Sequence, residues 1–210
     1  MRSLCIQFII SDDFPQGSKA PPLTFPPQSD IFSSMKDNKF NFCPECGSRN
    51  IQTLMGGRKW FCPDCKFDLY NNVASAVGLV IENEKGEFLF ERRAKEPRKG
   101  FLAFPGGFSD PGESAEEAAV RECMEESGVK PKSVEYLCSF ANTYVYRDVV
   151  YKTCDLFFVA KLPDSYQLKG QESEVQSFEW VKIQNLEELE KVPLAFDSAR
   201  KTLEFYLSKK

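Results

Sequence analysis

Two pairs of cysteines carry the first chemistry in this sequence: Cys43-Pro44-Glu45-Cys46 and Cys62-Pro63-Asp64-Cys65. A CxxC turn folds back on itself and presents two thiolates to one ion, so two such turns complete the tetrahedral shell that zinc prefers. The spacing of the pairs falls in the range of cysteine zinc sites. Four thiolates leave no open position for a substrate, which makes the expected role of the zinc structural. Cys5, Cys123, Cys138 and Cys154 stand apart, and zinc plus free thiols points to a reducing, cytoplasmic setting rather than a disulfide framework. Residues 35–72 hold Lys36, Lys39, Arg49, Arg58, Lys59 and Lys66 against Asp37, Glu45, Asp64 and Asp68. Phe40, Trp60, Phe61 and Tyr70 offer faces for base stacking, but so small a basic excess argues against nucleic acid as a partner.

The second chemistry lies in carboxylates. At about 100° per residue, Glu122, Glu125 and Glu126 fall on one face of a helix. Like charges at i,i+3 and i,i+4 repel, and the C-terminal end of a helix disfavours anions. A hard divalent cation, Mg²⁺ or Mn²⁺, answers both objections and is shared readily with substrate phosphates. The chain has no histidine, which removes Ser-His-Asp and Cys-His catalysis, helical HExxH sites and Cys2His2 fingers. Acid–base work falls to carboxylates, Lys, Tyr, Cys or a bound metal.

These groups need elements to hold them. Gly106-Gly107, a Pro111-Gly112 turn and Ser114 as N-cap predict a loop feeding a helix that Gly128 stops. Residues 73–81 and 87–93 read as a hairpin around Asn83-Glu84-Lys85-Gly86, with further strands at 134–140, 149–160 and 175–183. Helical patterns follow at 185–191 and 196–207. The expected class is α+β, with a mixed sheet between helices. Between the cysteine pairs, a second hairpin is expected to turn at Gly56-Gly57.

The 210 residues allow one domain plus a small module, and the net charge of −4 disfavours a protein that coats DNA. No run of about 18 apolar residues exists, so no membrane span is expected. Residues 1–34 hold five prolines between Pro15 and Pro27 and no period; they read as a disordered tail, with the functional chain beginning near Met35.

Gly107, Glu113, Arg121-Glu122, Glu125-Glu126, Gly128 and Val129 together resemble the Nudix box, G-x5-E-x7-R-E-U-x-E-E-x-G-U, with Cys123 in place of the first bulky aliphatic residue. The resemblance implies a Nudix α/β/α sandwich over residues 73–210, preceded by a zinc ribbon over 35–72. It implies hydrolysis of a nucleoside diphosphate linked to another group, by water attacking phosphorus. Glu122, Glu125 and Glu126 match the family's metal ligands. Gly106 and Gly107 would admit metal or phosphate to the backbone, and Glu113 with Arg121 would brace loop against helix. Glu174 stands where a general base is expected, and Arg92, Arg93 and Arg98 are candidate phosphate contacts.

A zinc ribbon before a Nudix domain is similar to the NADH pyrophosphatase group. That group's Ser-Gln-Pro-Trp-Pro-Phe-Pro motif is absent, and the stretch reads Phe140-Ala141-Asn142-Thr143-Tyr144-Val145-Tyr146-Arg147. The proline of the ADP-ribose subgroup and the arginine spacing of the coenzyme A subgroup are also missing. Tyr144 and Tyr146 loosely resemble the tyrosine of dinucleoside polyphosphate hydrolases. The expected activity is Mg²⁺-dependent cleavage of a dinucleotide or nucleotide-sugar such as NADH, ADP-ribose or FAD. The alternative is a zinc-ribbon regulatory protein that binds nucleotide or RNA without turnover. The resemblance also implies a homodimer.

Overall fold

The computed structural model describes residues 40–146 and 149–210. The expected tail and the start at Met35 lie outside them. Around the cysteines, β1 (Gln52–Leu54), β2 (Lys59–Phe61) and β3 (Asp68–Tyr70) form an antiparallel sheet, and a short 3-10 turn at Met55–Gly57 closes the hairpin at the expected glycines. Its core is small: Cys43, Trp60 and Cys62 are buried, while β1 and β3 are exposed throughout.

The remaining strands form two sheets. β4 (Ala74–Ile81), β7 (Ser133–Tyr146) and β8 (Val149–Lys161) make a mixed sheet in the order β4-β8-β7, parallel between β4 and β8 and antiparallel between β8 and β7. β5 (Glu87–Arg93), β6 (Leu102–Ala103) and β9 (Val175–Lys182) make an antiparallel sheet in the order β6-β5-β9. The expected hairpin of residues 73–81 with 87–93 is therefore corrected. Its turn closes as read, through Asn83 N–H to Glu87 O at 2.9 Å and Gly86 N–H to Asn83 O at 3.0 Å. After one bridge between Glu82 and Phe88 the strands part, because their edges are taken by other partners. β4 bonds to β8 on one side and to the glycine loop on the other, while β5 bonds to β6 and β9.

Helix α1 (Ala115–Ser127) packs on β4 and β7, and α3 (Asp197–Leu207) packs on the opposite side, next to the short α2 (Leu186–Glu190). Val77, Leu79, Ile81, Leu89 and Phe158 join α1 through Ala118, Ala119 and Cys123. Val80, Phe88, Phe90 and Phe157 join the α3 side through Ala199 and Leu203. Alternation along the strands thus feeds two cores, which is why β4 reads as an unbroken apolar run. Phe88 and Phe90 are fully buried, and each contributes about 1.5–3 kcal/mol. Cys123, the small residue in the aliphatic position of the box, is fully buried between α1 and the sheet.

Candidate active site

Helix α1 begins as its sequence dictates. Ser114 accepts from the Glu117 N–H at 3.2 Å, the Glu117 side chain accepts from the Ser114 N–H at 2.7 Å, and Gly128 ends the helix in the left-handed conformation. Arg121 braces this helix to the preceding loop. It donates to Glu113 at 2.6 and 3.1 Å, to the Phe108 carbonyl at 3.0 Å, to Glu122 at 2.8 Å and to Glu125 at 3.2 Å. The Arg121 guanidinium, helped by the Asp110 N–H, holds Glu113 below the usual carboxylate range.

The loop fits against β4 through Val77 N–H to Gly107 O at 2.8 Å and Leu79 N–H to Pro105 O at 2.9 Å. Gly106 sits at φ 146°, and a Cβ there would lie 2.2 Å from the Val77 carbonyl oxygen. A Cβ on Gly107 would meet the Glu122 carboxylate at 2.6 Å, so glycine lets the box glutamate reach the loop backbone.

Glu122, Glu125, Glu126 and Glu174 line one cavity of about 390 Å³ together with Gly106, Gly107, Arg93 and Lys95. Glu126 accepts from the Gly106 N–H at 2.6 Å, and Glu174 pairs with Lys95. Burial pushes the Glu126 carboxyl up to about 8, with Glu122 adding repulsion and the Gly106 N–H opposing. Burial also raises Glu122, against the pull of Arg121.

Arg92 and Arg93 part company. Arg93 lines the cavity, with its Nε donating to Pro97 O at 2.9 Å and its guanidinium 5.2 Å from the centre of the Phe196 ring. Arg92, one residue earlier, is absent from the cavity wall; it donates to Glu179 at 2.6 Å and to the Gly100 carbonyl. Neighbours on a strand face opposite ways, so of the two candidate arginines Arg93 lines this cavity and Arg92 does not. Arg98 likewise stands outside this cavity, against the Phe101 ring.

Two features escaped the sequence reading. Glu91, 2% exposed, meets Glu126; burial and that neighbour hold its carboxyl well above the ordinary range, and its Oε2 has no hydrogen-bond partner. An acid in the apolar run of β5 was the available signal. The second is a cluster of Asn142, Thr153, Asp155 and Ser198 on the same cavity wall, signalled by the lone acid within β8.

The donor chemistry fits a divalent cation: Glu122 and Glu126 offer buried carboxyl oxygens whose proton is held by burial and can be exchanged for an ion, and Glu125 offers an exposed one. Arg121 and the Gly106 N–H occupy these oxygens, so binding an ion requires the glutamate side chains and Arg121 to turn. The thiols are already gathered. Cys43 and Cys65 Sγ lie 3.6 Å apart, Cys46 and Cys62 Sγ 3.7 Å, and all four lie within 4.8 Å of one another. A tetrahedron of zinc–sulfur bonds has edges of about 3.8 Å, so this set can hold a metal ion as it stands. The two turns are alike: Gly47 N–H bonds to Cys43 O, and Lys66 N–H to Cys62 O, with both residues left-handed. Burial pushes the Cys43 thiol up, but the N–H groups of Cys46 and Glu45 and the neighbouring thiols bring it down to about 7.

Comparison with known proteins agrees with this geometry. An NAD-capped RNA hydrolase of Schizosaccharomyces pombe is 38% identical over 117 residues, which is 49% of this chain and 31% of that protein. An ADP-ribose pyrophosphatase of Methanocaldococcus jannaschii is 46% identical over 67 residues, 32% of this chain and 39% of that protein. This chain therefore spans well under half the length of both relatives. The crystal structure of a NUDIX hydrolase from Nitrosomonas europaea superimposes with a TM-score of 0.59 at 25% identity, covering 80% of this chain and 91% of that one. Among the described residues no helix is long and apolar enough to cross a membrane. The NUDIX domain model matches residues 73–203, and the chain belongs to that family.

Proposed function

We propose that this protein is a Mg²⁺- or Mn²⁺-dependent pyrophosphohydrolase that splits a nucleoside diphosphate linked to a second group into two phosphorylated products. The observation that carries the reading is the meeting of Glu122, Glu125, Glu126 and Glu174 around one cavity floored by Gly106 and Gly107. The two relatives act, by their names, on an NAD cap and on ADP-ribose, both of which contain such a diphosphate. Residues 35–72 form the zinc-binding ribbon and 73–210 the hydrolase domain, with a reducing cytoplasm suited to the free thiols. The resemblance to ribbon-bearing Nudix proteins supports assembly as a homodimer.

In this reading Glu122, Glu125 and Glu126 hold the ion and Glu113–Arg121 fixes the loop beside it. When bound, a divalent ion neutralises the diphosphate and acidifies the attacking water. Arg93 and Lys95 add positive charge at the cavity wall, where the phosphates would lie. Glu174 accepts the proton of the attacking water, a task that no imidazole is available to perform. The test is release of AMP from NADH, ADP-ribose, FAD and dinucleoside polyphosphates, and of nicotinamide mononucleotide from NAD-capped RNA, with Mg²⁺ or Mn²⁺. Turnover of one of these supports the reading; tight nucleotide binding without product under either metal overturns it in favour of a regulatory protein.

A further inference from the structure

The hydrolytic groups are only part of the cavity lining. On the wall formed by the mixed sheet, Thr153, Asp155 and Phe157 alternate along β8 and face inward. Asp155 is 8% exposed, and no lysine or arginine among the described residues pairs with it. Its Oδ1 accepts from the Thr153 hydroxyl at 2.5 Å; its Oδ2 accepts from Asn142 Nδ2 at 2.9 Å and from the Ser198 hydroxyl at 2.7 Å. A carboxylate offers about four acceptor sites, so three donors leave one open. Asn142 spends one of its two amide N–H groups on Asp155, and its Oδ1 accepts from the Thr143 N–H. One open acceptor and one spare donor therefore stand side by side on the cavity wall.

Flat aromatic surface borders the pair. The Tyr144 and Phe196 rings lie 5.8 Å apart and both line the cavity. The position relative to the glutamates follows from the sheet. The glycine loop bridges β4 at Ala76, and Ala76 pairs with Asp155 on β8. Two inter-strand spacings, roughly 10 Å, thus separate the loop from Asp155. A nucleotide spans a distance of that order from its phosphate to the far edge of its base.

We propose that Asp155 and Asn142 form the base-recognition end of this cavity and select adenine. The Asp155 carboxylate accepts from the exocyclic amine, Asn142 donates to the adjacent ring nitrogen, and Tyr144 and Phe196 border the base. Guanine presents two neighbouring donors to the single open acceptor, and one of them would stay unpaired in a buried site, which is costly. The proposal rests on the hydrolase reading for the placement of the diphosphate at the glutamates.

The test is calorimetric titration of the full chain with AMP and with IMP, in which a carbonyl replaces the amine and the ring nitrogen N1 becomes a donor, so that both contacts are mismatched for a base in the same place, beside hydrolysis of ADP-ribose. AMP should bind at least about tenfold more tightly than IMP. In Asp155→Asn, which turns the acceptor into a mixed donor and acceptor, the preference should vanish or reverse. Asn142→Ala, at a half-buried position outside the cores, should weaken AMP binding with the fold intact by circular dichroism. Equal binding of AMP and IMP by the unaltered protein, or a preference untouched in both variants, overturns the proposal. AMP selection without hydrolysis leaves the subsite standing and removes the hydrolase reading; hydrolysis without AMP selection does the reverse.

Discussion

Gly106 and Gly107 are adjacent, yet a methyl group would do different harm at each. At Gly106 the added carbon meets the backbone of β4 and the positive φ strains any L side chain, so neither partner can yield. Gly106→Ala should cost about 2–3 kcal/mol in a denaturant titration. At Gly107 the obstacle is the mobile end of Glu122. Gly107→Ala should keep its melting temperature within a few degrees while Mn²⁺ affinity, read by electron paramagnetic resonance, falls. Equal stability losses in the two variants would contradict this division. Among the acids, Glu125→Gln is expected to lose at least about 10²-fold in turnover under Mg²⁺, and Glu174→Gln less, since a carboxylate that only moves a proton is replaced in part by water. Unaltered turnover in Glu125→Gln would remove Glu125 from the reacting set.

At the scale of elements, legibility followed locality. Helix α1 was readable to the residue because its cap, its acidic face and its terminal glycine all lie within one stretch. The turn at Asn83–Gly86 was readable for the same reason, but not the divergence of β4 and β5. That depends on β8 and β9, dozens of residues away, which compete for the same edges. The contact of Glu91 with Glu126 and the gathering of Asn142, Thr153, Asp155 and Ser198 are likewise products of topology, with no local signature beyond an acid in a strand. The ribbon is the opposite case, since its chemistry is written in the spacing of four cysteines. With β1 and β3 exposed and only Trp60 and two cysteines buried, its apolar core is too small to hold three short strands alone. Metal binding there becomes folding energy. The intact protein should carry one zinc per chain by elemental analysis, and Cys62→Ser should lose it and become protease-sensitive within residues 40–72. A zinc-free ribbon that resists protease would show that the thiols are not what holds it.

Over the whole molecule the charge is nearly balanced, at −4, but its distribution is not: acids converge on one cavity, and Glu122 and Glu126 are buried there. That convergence gives stability a pH dependence of definite sign. In the unfolded chain the Glu126 carboxyl titrates near its ordinary value of 4.5, whereas burial in the fold holds it at about 8. Between those values the folded protein keeps a proton that the unfolded chain has released, so raising the pH across that interval weakens folding. Burial shifts Glu122 in the same direction. Asp64 and Glu113, whose hydrogen bonds and ion pairs lower them, titrate below the interval and leave it undisturbed. The absence of histidine removes the side chain that ordinarily titrates there. The zinc-held thiolates pull the other way, since they release protons on folding, so the glutamate effect is read against Glu126→Gln, which shares them. In buffer without added Mg²⁺ or Mn²⁺ the zinc-loaded protein should lose melting temperature relative to that variant as the pH rises from 5 to 8. Saturating Mg²⁺ should flatten or reverse that slope, because the ion takes the deprotonated carboxylates as ligands and replaces the proton. A melting temperature that climbs relative to Glu126→Gln over the same interval without added ion would mean that these glutamates are ionised in the free protein, and that the wall is open to water rather than poised for a cation.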